Sequence, residues 1–139
     1  MATAAPAYLL LFTESTPERY EAMSHEERRA ALERWNEWCD TLAAEGKLRG
    51  GNSLAPEGRV VSRAGGTRAV DGPFAEAKEL VGGYLLLDVE SLEEATAIAE
   101  RCPNLTYGMV VEVRPVAEAC HLARSLGWKT MRGEAAQPA

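Results

Sequence analysis

Eight residues of this chain are written almost twice. "YLLLFTES" (Tyr8 to Ser15) returns as "YLLLDVES" (Tyr84 to Ser91), with six of eight positions identical. Each copy begins as a strongly apolar run of strand length, and each is followed by helix signals. The first main helix opens at "SHEE", where Ser24 and Glu27 have capping-box spacing; the second opens at "SLEE", where Ser91 and Glu94 repeat it. Leu32, Trp35, Cys39 and Leu42 then recur at steps of three and four and draw one apolar stripe, which Gly46 ends. Leu92, Ala95, Ile98, Ala99 and Cys102 draw a second stripe, which Pro103 stops. A further candidate strand follows each helix, "KLRGGNSL" (Lys47 to Leu54) and "YGMVVEVRPV" (Tyr107 to Val116). Between the halves, "RVVSRAGGTRAVD" reads as a hairpin turning at Gly65-Gly66.

Strand–helix–strand written twice is the α+β, ferredoxin-like split βαβ repeat, here with an inserted hairpin. Such a sheet carries both helices on one face. Alternation assigns Tyr8, Leu10, Phe12, Tyr84 and Leu86 to one face, and Leu9, Leu11, Leu85 and Leu87 to the other. Both faces therefore call for burial, and the expectation is a homodimer whose sheets pack face to face. The alternative is that the hairpin and the C-terminal segment cover the second face within one chain. That segment, "AEACHLARSLGWKT", has Ala117, Cys120, Leu126 and Trp128 spaced for a short helix and an anchor. The expected organisation is a single domain over 1–139, with its core at about 8–116 and an extension and frayed tail over 117–139.

Bulk properties remove several classes of function. A net charge of −6 is the wrong sign for a phosphate backbone, so no nucleic-acid partner is expected. The apolar run near the N-terminus is too short to span a bilayer and has no basic region before it, so no membrane association is expected. Cys39, Cys102 and Cys120 are odd in number and widely spaced, which suits reduced thiols in the cytoplasm. "AGGT" and "VGGY" lack the spacing of a phosphate loop, and no Gly-x-Ser-x-Gly elbow occurs. His25 and His121 stand in no ligand pattern, so neither metal nor cofactor is expected.

"VDGPFAEAKELVGGYLLLDVESLEEA" resembles the signature of the DGPF branch of the YCII-related proteins. The opening "YLLLF", the Ser-x-Glu-Glu helix start, "GGNSLAP" and "VEVRPV" extend the resemblance from about Tyr8 to Val116. The resemblance implies a dimeric α+β barrel, in agreement with the repeat. Some YCII-related proteins carry a His on the first helix paired with an Asp, an acid–base dyad; here Trp35 and its neighbours stand in that region, and His25 lies next to the cap. The DGPF branch often accompanies extracytoplasmic-function sigma factors, which implies a regulatory association.

The candidate catalytic residues are Asp71, Glu76 and Lys78. A partly desolvated Asp71 at the mouth of a cleft would act as acid or base, Lys78 would anchor an anionic substrate, and Glu76 would be a second acid or an orienting partner. Arg49, Phe74, Tyr84 and Arg114 are the candidate substrate contacts. A structural account covers the same residues. Asp before Gly-Pro starts a turn, Phe74 faces a core, and Arg49 or Arg114 pairs with Asp71, Glu112 or Asp88. Two functions follow from these readings: a small-molecule site, binding or metal-free acid–base, and a protein-interaction module associated with a sigma factor. A dimeric scaffold without a site is the third.

Overall fold

The computed structural model describes residues 7–14, 17–63, 68–72 and 80–133, with 68–72 described by backbone alone. The chain runs β1 (Tyr8–Glu14), α1 (Glu18–Glu21), α2 (His25–Ala44), β2 (Leu48–Ser53), β3 (Gly58–Ser62), β4 (Arg68–Gly72), β5 (Leu80–Leu87), α3 (Leu92–Ala99), a 3-10 turn (Pro103–Tyr107), β6 (Val110–Pro115) and α4 (His121–Ser125). The main sheet has the order β2-β5-β1-β6, and every neighbouring pair is antiparallel. The echoed segments are its two central strands. β3 and β4 pair separately as the inserted hairpin. The architecture is the α+β, ferredoxin-like one that the repeat implies.

Both helix starts are built as the spacing predicts. The Ser24 hydroxyl accepts from the Glu27 backbone N–H at 3.1 Å, and the Glu27 carboxylate accepts from the Ser24 N–H at 2.8 Å. At α3 the Ser91 hydroxyl accepts from the Glu94 N–H at 3.0 Å. Past the end of α2, Gly46 adopts φ +72°, a left-handed conformation that closes the helix at little steric cost.

The core lies between the sheet and the two long helices. Leu10 and Phe12 of β1 and Leu85 and Leu87 of β5 meet Leu42 of α2 and Ala95, Ile98 and Ala99 of α3. The register corrects the expected division of faces. Tyr8 stands opposite Leu87, Leu10 opposite Leu85 and Leu11 opposite Tyr84, and cross-strand partners share a face. The helix-covered face is therefore Tyr8, Leu10, Phe12, Leu85 and Leu87, while Leu9, Leu11, Tyr84 and Leu86 form the other. The sequence echo is one residue out of phase with the pleat. Phe12 is buried in the core, whereas Asp88, its counterpart in the echo, lies past the end of β5.

The last strand also begins later than "YGMVVEVRPV" suggests. Pro103 opens a 3-10 turn that runs through Tyr107, and Gly108 at φ +91° ends it before β6 starts at Val110. Tyr107 instead places its ring edge-on to Tyr20, with centroids 5.7 Å apart. The short helix expected after Pro115 is present as α4.

Candidate functional site

A cleft of about 740 Å³ opens between α2 and the sheet. The cleft-facing residues of α2 come at helical spacing: Arg28, Ala31, Leu32, Trp35 and Cys39. The floor is unusually bare, because β2 contributes Gly50 and Gly51 and β5 contributes Gly82 and Gly83. Two of these glycines are required by strand packing. A Cβ on Gly51 would lie 2.5 Å from both the Leu85 side chain and the Tyr84 carbonyl oxygen, and one on Gly83 would lie 2.8 Å from the Asn52 carbonyl oxygen. Close strand approach thus removes the side chains that would otherwise fill the cleft. Phe12, Leu48, Leu85 and Met109 complete the apolar lining. The Phe12 ring meets Trp35 edge-on at 4.9 Å, and Trp35 meets Trp38 at 5.3 Å, so the wall is held by a three-ring cluster.

One end of the cleft is polar. Glu14, at the close of β1, and Tyr20, from α1, meet Asn104 from the 3-10 turn. The Asn104 amide nitrogen donates to the Tyr20 hydroxyl at 3.2 Å. Burial raises the Tyr20 phenol above its ordinary pKa of 10.0, and its hydrogen bond to the Glu14 carboxylate raises it further. Tyr20 therefore holds its proton and donates it to Glu14. The Asn104 amide oxygen is buried and has no hydrogen-bond partner. Arg28 stands exposed on the same side, one helical turn before Leu32. Such an end can hold a ligand's hydrogen-bonding group, accept a proton at Glu14, and keep a neutral phenol in place.

The residues expected to carry function are only partly brought together here. Tyr84 borders the cleft, but its register puts its ring on the opposite sheet face, where its hydroxyl accepts from Asn52 at 3.2 Å. Arg49 is engaged by Asp88 at 3.3 Å, and Arg114 lies 3.8 Å from Glu112. Both pairs are among the intramolecular partners that the sequence offers, and neither arginine lines the cleft. Arg114 is not a strand-buried cation, since its side chain is 65% exposed. Asp71 lies on β4 opposite Arg59, with only its backbone described. Phe74, Glu76 and Lys78 lie outside the described residues.

Glu14, Tyr20, Arg28 and Asn104 were not singled out by sequence reasoning. One signal was available for Arg28, which continues the Leu32–Trp35–Cys39 stripe one turn toward the N-terminus. Glu14 closes the first echo as a polar residue directly after an apolar strand, the place where a sheet meets a cleft. Tyr20 and Asn104 had no signal, because only the tertiary fold brings them within reach of each other.

The comparisons with known proteins agree with this architecture. The model of the YCII-related domain matches residues 7–119. An uncharacterized protein of Rhizobium meliloti (strain 1021) is 36% identical over 88 residues, which cover 56% of this chain and 71% of the relative. The match to the domain model takes in both echoed strands, both main helices and the cleft between them, and on that match this chain belongs to the YCII-related family.

Proposed function

We propose that this protein binds a small organic molecule in the cleft between α2 and the sheet, and that Glu14 with Tyr20 supplies any acid–base step there. The observation that carries this reading is a cleft of about 740 Å³ with an apolar wall and one polar end built on Glu14, Tyr20 and Asn104. Its volume falls within the range of small-molecule sites, and a few convergent polar groups on an apolar lining are their usual composition. Glu14 takes the base role that the sequence suggested for Asp71, and Tyr20 is the neutral donor beside it. The Asp-Gly-Pro-Phe segment of the DGPF-branch signature precedes β5 in the sequence, and Gly82 and Gly83 of β5 form part of the floor. Native mass spectrometry of gently purified protein tests the reading. We expect a retained small molecule whose occupancy falls in Glu14→Gln. Protein that carries nothing, and whose Trp35 fluorescence stays constant across a metabolite panel, would refute it.

We infer further that the second sheet face is covered by another copy of the chain. Leu9, Leu11, Tyr84 and Leu86 make an apolar centre on the side away from the core helices, flanked by Glu112 and Arg114 of β6. The three free thiols, Cys39, Cys102 and Cys120, suit the reducing cytoplasm.

A second functional reading, a protein-interaction module associated with a sigma factor, is favoured by one observation. Val116, Leu122, Leu126 and Met131, all on the segment after β6, are each more than half exposed. Charged substitutions at Leu122 and Leu126 that left capture of an extracytoplasmic-function sigma factor unchanged would remove that reading.

A further inference from the structure

One side of the cleft is backbone that cannot carry side chains. Gly51 stands opposite Leu85 and Gly83 opposite Phe12, and cross-strand partners share a face, so both glycines belong to the helix-covered face that floors the cleft. A Cβ on Gly51 would meet the Tyr84 carbonyl oxygen at 2.5 Å, and one on Gly83 the Asn52 carbonyl oxygen at 2.8 Å. Gly82 is different. It is the extra residue where β5 slips against β1, between the Gly83–Phe12 and Val81–Thr13 pairs. Its φ lies outside the left-handed range, so the bulge does not demand glycine. A Cβ there would meet only Glu14 Oε2, at 3.8 Å, an ordinary contact distance. Neither backbone conformation nor packing requires this cleft-lining position to be bare. A strand glycine with neither reason suits a place where another group lies against the backbone.

We propose that the body of the ligand is a planar, fused-ring aromatic system, with one face on the backbone of Gly51, Gly82 and Gly83 and its other side toward Trp35. This rests on the reading of the cleft as a small-molecule site and specifies the shape it takes. Across from the floor, α2 presents Ala31, Leu32 and Trp35, and Phe12 and Trp38 prop the Trp35 ring edge-on at 4.9 and 5.3 Å. Side chains from both layers normally fill the space between a helix and a sheet. Here the sheet contributes none at its glycines, and the gap left is thin. A flat ring, roughly 3.5 Å thick, fills such a gap with close contact over its whole face. A saturated ring of the same skeleton is thicker and touches only at its protruding hydrogens. Ring-to-ring contact with Trp35 adds an attraction beyond the area buried.

The test compares naphthylmethanol with its fully saturated decahydro analogue by titration calorimetry on the full chain. The two share a skeleton and a primary alcohol, and the saturated compound has the larger apolar surface, so hydrophobic transfer alone ranks it first. We expect the planar compound to bind roughly 10-fold tighter instead. Gly82→Leu fills the gap from the floor and should weaken the planar compound by roughly 10-fold or more, with circular dichroism unchanged. The wild-type comparison stands on its own if that variant fails to fold. Equal binding, or preference for the saturated compound, would overturn the planar assignment and leave the cleft a ligand site. Unchanged binding of the planar compound by folded Gly82→Leu would place it elsewhere and overturn the assignment as well. Failure of both compounds to bind would also overturn it, and the reading beneath it falls too if the metabolite panel leaves tryptophan fluorescence constant.

Discussion

Tyr20→Phe removes one oxygen from the polar end of the cleft, and the structure says what is left behind. The hydroxyl donates to Glu14 and accepts from the Asn104 nitrogen at 3.2 Å. In the variant the Asn104 side chain, whose oxygen is already unpartnered, loses its nitrogen's partner as well. A neutral hydrogen bond contributes about 1 kcal/mol and one to a carboxylate about 1.5 to 3 kcal/mol. Tyr20 is only part-buried, so water recovers some of both, and we expect a net loss of about 1 to 3 kcal/mol in urea unfolding with an unchanged m-value. The pH dependence is a separate signature. The phenol's folded pKa is raised above its ordinary 10.0, so its contribution is fully present below that pH. Above it the unfolded chain releases the proton first, and stability falls as pH rises toward the folded value. Tyr20→Phe should abolish that part of the alkaline slope and leave the curve below pH 10.0 parallel to wild type. Equal stability of the two proteins, with superimposable alkaline curves, would show that the hydroxyl does not bridge Glu14 and Asn104.

Ser24→Ala removes the acceptor for the Glu27 N–H and should lower stability by about 0.5 to 2 kcal/mol, read from denaturant midpoints. The Glu27 carboxylate is held below its ordinary range by its hydrogen bonds to the Ser24 backbone and hydroxyl. That contribution is present above the unfolded pKa of 4.5 and is lost as pH falls through the folded value, so Glu27→Gln should flatten the acid limb. Gly51→Ala puts a Cβ 2.5 Å from the Tyr84 carbonyl oxygen, a backbone atom that cannot turn aside, and should cost about 1 to 3 kcal/mol, with faster amide exchange along β2. Leu86→Arg puts a charge at the centre of the sheet face for which we propose a second copy; light scattering should then find a dimer for the wild type and a monomer for the variant, with circular dichroism unchanged.

The fold was legible where the sequence carried a local device. Ser24 and Ser91 with glutamates three residues on announced two helix starts, and Gly46 announced an end, because caps act on the chain within four residues. The strand faces were not legible. "YLLL" is apolar at every position, so a period of two leaves no trace in it, and only the antiparallel register with its irregularity at Phe12/Thr13 sets the phase. Tyr107 was read into a strand because the residues after it are apolar, whereas Pro103 and Gly108 bracket a turn whose geometry overrides that pattern.

The cleft was not legible for a related reason, and most of the charged cluster expected to act lies outside the described residues. Sequence reasoning looked for chemistry where charged residues cluster, and Asp71, Glu76 and Lys78 cluster along the chain. A cleft, however, forms where side chains are missing. Here the vacancy comes from glycines on adjacent strands, two of which are required because β2 and β5 approach too closely for a Cβ. Of the cleft-facing residues of α2, only Arg28 and Cys39 carry ionisable groups, and burial raises the Cys39 thiol above its ordinary pKa, away from the reactive thiolate. Histidine is absent from that stripe, since His25 is the first residue of α2 and faces solvent. Among the described residues that line the cleft, the one carboxylate is Glu14, which meets Tyr20 at the close of β1. In the function proposed above, a helix faced with tryptophan and leucine supplies shape, and the strand terminus carries the polar groups. On that reading Glu14→Gln, which keeps an oxygen to accept from Tyr20, should lower ligand affinity while costing less stability than Tyr20→Phe.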